Sequence, residues 1–132
     1  MSYNVFYVET VGIRNHKAIY IESNPSAPPE TPRGRLHHVT GTILAGMNYD
    51  PRDTVDPEFT PEYVPASKRK IATIAADDLP RFESECCEFI PPPRPQMTLS
   101  GKQLYPGTPL YRCGDWLRDV ENLAVEKGIL KR

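Results

Sequence analysis

The chain has 132 residues, enough for a single domain spanning 1–132 whose core needs no disulfide or metal to be stable. Its 16 basic and 17 acidic side chains leave a formal net charge of -1, which excludes a strong overall attraction to nucleic acid or to anionic membranes. The three cysteines show no CxxC or zinc-finger spacing, so we expect reduced thiols, no metal and a cytoplasmic location. No stretch approaches the roughly 18 apolar residues of a membrane span.

The first half of the chain is rich in Val, Ile, Tyr, Phe and Thr between turn residues, a pattern typical of β-strands. A Pro-rich loop separates the second run from the third, so these two strands are expected to pair antiparallel as a wide hairpin. The predicted strands cover residues 4–13, 17–23 and 35–44.

Strand alternation places the three histidines of the chain relative to one another. In the second strand, His16, Ala18 and Tyr20 share one face. In the third strand, His37 and His38 must point to opposite faces, because successive side chains alternate. At most one of these two histidines can therefore share a face with His16.

The middle of the chain predicts an irregular excursion, a strand and a helix. Residues 45–67 are rich in Pro, Asp, Glu and Tyr and indicate no certain secondary structure, whereas residues 68–75 predict a fourth strand. The following Asp77-Asp78-Leu79-Pro80 has the acids and the proline of a helix start, and Pro91-Pro92-Pro93 ends this helix. Its apolar stripe is expected to comprise Leu79, Phe82, Cys86 and Phe89.

The last helix is predicted over residues 114–127, after a loop over 94–110. Gly128 is a natural C-cap. The apolar face comprises Cys113, Leu117, Val120 and Ala124. The element order predicts an α+β fold, a small antiparallel sheet of about four strands packed against two main helices.

Cys113 stands where an extended segment meets this last helix. A helix N-terminus carries partial positive charge, which lowers the pKa of a cysteine and favours the nucleophilic thiolate. Thiol catalysis of the papain type also needs an imidazole on a neighbouring strand and a polar group that orients it. Backbone N–H groups of Cys113 and Gly114 would form the oxyanion hole.

The run His16-Lys17-Ala18-Ile19-Tyr20-Ile21, the later Leu36-His37-His38-Val39 and the late Cys113 together resemble the circularly permuted papain-like fold. This group includes lecithin:retinol acyltransferase-like and PPPDE-type proteins related to NlpC-type peptidases. Its first strand typically reads His-Trp-Ala-x-Tyr, and its nucleophile begins a Cys-x-x-aromatic helix. The late Cys-x-x-Trp element is also similar to uncharacterised fungal proteins.

The resemblance implies roles for three residues: His16 as general base, His38 as third member of the triad and Cys113 as nucleophile. It implies a cysteine-dependent hydrolase or acyltransferase that acts on an amide, ester or thioester without a cofactor. Lys17 stands where the family often has tryptophan, and Arg112 where it often has asparagine.

Several alternatives remain open at this point. His37 could replace His38, and Cys113 could be a buried packing thiol, as we expect Cys86 and Cys87 to be. A zinc site on His16, His38 and Cys113 is chemically allowed but matches no known zinc spacing. The alternative function is an inactive domain of the same fold that binds a small molecule, a peptide or a protein partner through its Pro-rich loops. The candidate substrate-binding residues are Tyr20, Tyr111 and Trp116, each of which could equally be a packing residue.

Overall fold

The computed structural model of the protein describes residues 1–12 and 14–132. Within these residues the chain forms eight strands, twice the number expected from the sequence. They are β1 (Ser2–Thr10), β2 (His16–Glu22), β3 (Gly34–His37), β4 (Val39–Thr42), β5 (Gly46–Tyr49), β6 (Arg52–Thr54), β7 (Arg69–Ala75) and β8 (Leu130–Lys131). Ile13, at the end of the predicted first strand, lies outside the described residues.

Six strands form one antiparallel sheet in the order β6-β3-β2-β1-β7-β8. The predicted pairing of the second strand with the third is confirmed, with Ile19 opposite His37. The single strand predicted over 35–44 is wrong, because the chain leaves the sheet at His38. Residues beyond it form a separate two-stranded ribbon of β4 and β5. The predicted irregular excursion thus contains β5, β6 and a 3-10 turn at Pro57–Phe59.

The helical segment after β7 is less regular than its sequence predicts. It comprises a 3-10 turn (Ala76–Asp78), α1 (Leu79–Arg81) and a π-helix (Phe82–Cys87). The π-turn is closed by the bond from the Glu88 N–H to the Glu83 carbonyl, 2.8 Å. Since a π-turn holds one residue more than an α-turn, it shifts the faces of the residues that follow. Cys86 and Cys87 are therefore both buried, while Phe89, expected on the apolar stripe, is 67% exposed.

The last helix, α2 (Cys113–Glu126), lies on one face of the sheet. Its buried residues are Trp116, Leu117, Val120 and Ala124. They pack with Ile19 and Ile21 of β2 in the main core, because alternation turns these two side chains to the same face. Gly128 ends the helix with a φ of 73°, the left-handed conformation of a C-cap glycine.

The opposite face of the sheet carries a smaller core. It contains Val8, Ala18 and Tyr20, with Phe6 and Leu36 at its margin. The structure is therefore α+β with a mainly antiparallel sheet, as expected, and the buried residues of α2 and of the π-helix belong to the main core. No helix within the described residues is long and apolar enough to cross a membrane.

Candidate active site

His16 and His38 meet at one end of the sheet. His16 is the first residue of β2, and His38 is the single residue between β3 and β4. Because the chain turns out of the sheet at His38, its ring reaches across to the neighbouring strand. His16 Nε2 and His38 Nδ1 are 2.8 Å apart, a hydrogen bond.

His37 points away from this pair. Its Nδ1 lies 2.7 Å from the Tyr49 hydroxyl, and its ring packs edge-on against Phe82 in the main core. Alternation thus separates the two adjacent histidines, as expected, and it is His38 that contacts His16.

Burial keeps all three imidazoles neutral near neutral pH. It lowers the pKa of His16 and is the main cause that lowers the pKa of His37 to about 3. The pKa of His38 falls to about 4, first through burial and then through the charge of His16, which the Asp50 carboxylate opposes only in part. A neutral imidazole carries one unprotonated nitrogen, the form that a general base requires. His38 Nε2 is buried and has no hydrogen-bond partner among the described residues.

Cys113 is the first residue of α2, one residue earlier than the predicted start. The helix begins there because Asp115 Oδ2 accepts a hydrogen bond from the Arg112 N–H, 2.9 Å, and the Arg112 carbonyl accepts from the N–H groups of Asp115 and Trp116. An acid in the first turn also complements the helix dipole.

Gln96 holds the segment that leads into this helix. Its Oε1 accepts from the Tyr111 N–H at 2.6 Å, and its Nε2 donates to the Tyr111 carbonyl at 2.7 Å and to the Arg94 carbonyl at 3.1 Å. The side chain of Gln96 thus bonds the backbone of Tyr111 as a neighbouring strand would. Tyr111 stands two residues before Cys113.

His16 and Cys113 line the same cavity, of about 910 Å³, between the end of the sheet and the first turns of α2. Tyr7 of β1 also lines it, and its hydroxyl donates to Glu9 at 2.8 Å. Burial, and then the hydrogen bond to Glu9, raise the pKa of Tyr7. Among the described residues, Cys113 makes no hydrogen bond to an imidazole.

The other expected binding residues lie elsewhere. Tyr20 is fully buried in the smaller core on the opposite face of the sheet. Trp116 is also fully buried, and its Nε1 donates to the Ile90 carbonyl at 3.0 Å. Tyr111 lines a second cavity, of about 400 Å³, formed by the Pro-rich segments near Pro91 and Pro109.

Sequence reasoning missed Tyr7 and Gln96. Strand alternation places Tyr7 on the face of the sheet that packs against α2. Only the pairing of β1 with β2 brings it beside the cavity. Gln96 sits in a loop without periodicity, so no local signal indicates its bonds. Within the described residues, no group of three or more His, Cys, Asp or Glu side chains is arranged to hold a metal ion.

One family model, described as a family of unknown function (DUF6540), matches residues 2–131. Comparison with curated proteins and with solved structures found no match.

Proposed function

This chain belongs to the DUF6540 family, and we propose that it is a cysteine-dependent hydrolase or acyltransferase of the permuted papain-like type. Cys113 is the nucleophile, His16 the general base and His38 the residue that orients His16. The observation that carries the proposal is the His16–His38 hydrogen bond at the wall of the cavity that Cys113 also lines.

Two further features support these roles. Cys113 begins a 14-residue helix, so the backbone N–H groups of the first helical turn, which have no partner within the helix, are available to an oxyanion. His16 is half-buried with a lowered pKa, so it is neutral and able to accept a proton. Catalytic hydrogen bonds are often long before substrate binds and shorten in the complex, so the proposal does not require a thiol–imidazole bond in the free protein.

In the proposed reaction, His16 carries its proton on Nε2 and donates a hydrogen bond from it to His38 Nδ1, which leaves His16 Nδ1 unprotonated. His16 Nδ1 then takes the proton of the Cys113 thiol, and Sγ attacks the carbonyl carbon. The N–H groups of Cys113 and Gly114 bind the oxyanion. When the carbon–leaving-group bond breaks, His16 returns the proton to the leaving group. Water, or an acceptor nucleophile, then loses a proton to His16 and attacks the thioester. As the carbon–sulfur bond breaks, His16 returns this proton to Sγ, which restores the Cys113 thiol.

The test is the rate at which iodoacetamide alkylates each cysteine, measured by peptide mass spectrometry over a range of pH. We expect Cys113 to react roughly ten- to thirtyfold faster at neutral pH than a free peptide thiol, which is mostly protonated there. The His16→Gln variant should lose this advantage. With p-nitrophenyl acetate, the wild-type protein should form an acetyl thioester on Cys113.

His37→Asn is the matched control, because His37 is a buried histidine at the end of β3 whose ring faces Tyr49 rather than the cavity. An asparagine side chain can still form a hydrogen bond with the Tyr49 hydroxyl, and the reactivity of Cys113 should not change. If Cys113 of the wild-type protein reacts like a free peptide thiol and His16→Gln has no effect, the proposal is wrong. The remaining function is then a binding domain, for which the second cavity beside Pro91 and Pro109 is the place to test.

A further inference from the structure

The cavity that contains Cys113 is lined by more positive than negative side chains, although the whole chain has a net charge of -1. Five of its lining residues are basic and three are acidic. The basic residues are Arg14, Lys17, Arg69, Arg112 and Arg118. From the arrangement of these charges we infer that the substrate carries an anionic group, a carboxylate or a phosphate, beside the bond that Cys113 attacks. This inference rests on the proposed function.

The three carboxylates of the cavity are already engaged by other groups. Glu9 accepts from the Tyr7 hydroxyl at 2.8 Å. Asp115 accepts from the Arg112 N–H and pairs with Arg118 at 3.4 Å. Glu121 pairs with Arg132, 3.2 Å, at the end of the chain.

Only one of the five cations has a carboxylate partner. Arg118 pairs with Asp115 and Asp119. Within residues 1–12 and 14–132, no carboxylate lies within 4.0 Å of the charged groups of the other four. Glu9 is the cross-strand neighbour of Lys17, yet the two side chains form no ion pair. The cavity therefore holds positive charge that no carboxylate of the described residues neutralises through an ion pair.

Lys17 places part of this charge directly beside the nucleophile. An ideal Cβ added to Gly114 would lie 3.0 Å from Lys17 Cδ and 3.3 Å from Lys17 Nζ. The side chain of Lys17 thus crosses the first turn of α2 against the residue that follows Cys113. Arg112 precedes Cys113 directly and lines the same cavity.

Arg69 adds a third cation from β7. Its guanidinium lies 4.5 Å from the centre of the Tyr7 ring, which holds it at the cavity wall without neutralising it. Carboxylates and phosphates are the anions that arginine recognises through paired N–H groups, while lysine adds a point charge. The three cations come from β2, β7 and the N-cap residue before α2, and all three line the one cavity, so they give it a positive potential that favours an anionic group.

The decisive measurement compares two alkylating reagents of nearly equal size, iodoacetate, which is anionic, and iodoacetamide, which is neutral. We expect the iodoacetate-to-iodoacetamide rate ratio at Cys113 to exceed that of N-acetylcysteine by about tenfold or more. Lys17→Gln and Arg112→Gln should each reduce the ratio by roughly three- to tenfold. Added salt should reduce it as well.

Lys70→Gln is the matched control, because Lys70 follows Arg69 on β7 but alternates onto the opposite face. It removes the same charge from the protein and should leave the ratio unchanged. Acetate and inorganic phosphate are then added separately as competitors of iodoacetate. The one that protects Cys113 at the lower concentration shows whether the site prefers a carboxylate or a phosphate.

The outcomes separate this inference from the proposed function. If Cys113 reacts rapidly with iodoacetamide through His16 but its reagent ratio equals that of N-acetylcysteine, the anion site is wrong and the thiol mechanism stands. If Cys113 is no faster than a free thiol but the ratio is raised and falls in Lys17→Gln, the anion site stands and the mechanism is wrong. A normal ratio that Lys17→Gln leaves unchanged overturns the inference.

Discussion

His37 and His38 are adjacent in sequence, yet they belong to different environments. His37 is 2% exposed in the main core, and His38 is 8% exposed beside His16. Both are held neutral mainly by burial, which disfavours the charged imidazolium. Their neutrality in the folded state makes the stability of the whole domain depend on pH.

We predict that the free energy of unfolding decreases as pH falls below 6.5, the ordinary pKa of histidine. In the folded state these pKa values are lowered to about 3 for His37 and about 4 for His38, so the unfolded chain binds the protons first. The folded state therefore has its full stability above pH 6.5 and loses stability as pH falls from 6.5 towards the folded-state pKa values of the two histidines. The loss is about 1.4 kcal/mol per pH unit for each histidine.

Urea denaturation at several pH values between 6.5 and about 5, above the range in which most carboxylates titrate, measures this slope. The His38→Asn variant removes one of the two buried imidazoles, so its slope should be shallower than that of the wild-type protein. Equal slopes for the two proteins would contradict the assignment of His38 as a buried neutral group.

At the scale of elements, the start of α2 depends on a loop side chain rather than on a strand. Gln96 is 6% exposed and pairs with both backbone groups of Tyr111. Without it, the Tyr111 N–H and C=O would lose their partners close to Cys113. The loop over 94–110 therefore has a structural role at the candidate active site.

We predict that Gln96→Met, which keeps the length of the side chain but removes its hydrogen bonds, destabilises the protein by about 1–3 kcal/mol for each backbone group left unpaired. The alkylation rate of Cys113 should fall as well, since the helix start is less firmly placed. Urea denaturation and iodoacetamide labelling measure the two effects. Gln103→Met, at an exposed position of the same loop, is the control and should change neither.

For the whole molecule, the sheet separates two regions of different composition. One face packs against α2 and leads to the cavity of Cys113. On the other face, Lys68 closes the smaller core, with its Nζ 4.4 Å from the centre of the Phe6 ring. It also lies 3.1 Å from Asp56 Oδ2 and 3.2 Å from Glu58 Oε1, with Glu22 Oε2 at 4.0 Å.

We predict that Lys68→Met destabilises the protein by about 3–5 kcal/mol, because it leaves the buried Asp56 carboxylate without its counterion. The labelling rate of Cys113 should not change in the folded variant, since the substitution lies on the opposite face. Lys70→Met, an exposed neighbour, should cost no more than about 0.5 kcal/mol. A large change in Cys113 reactivity in Lys68→Met would show that the two faces are coupled.

The sequence by itself determined the features that depend on local geometry. Alternation in β1, β2 and β7 and the periodicity of α2 follow from the backbone period of each element. The C-cap at Gly128 follows from the freedom of glycine to adopt a positive φ. The opposite orientation of His37 and His38 follows from the same alternation. From these the fold class could be predicted, whereas the roles of His16, His38 and Cys113 were implied by the resemblance to the permuted papain-like fold.

Only the tertiary structure decided which of these residues meet. The break at His38 arises because the chain leaves the main sheet to pair with β5, and β8 exists because Leu130 pairs with the distant Ile74. Such pairings depend on contacts between residues far apart in the chain, which no local pattern encodes. For the same reason, the sequence could not place Tyr20 on the far side of the sheet or bring Lys17 and Arg69 into the cavity of Cys113.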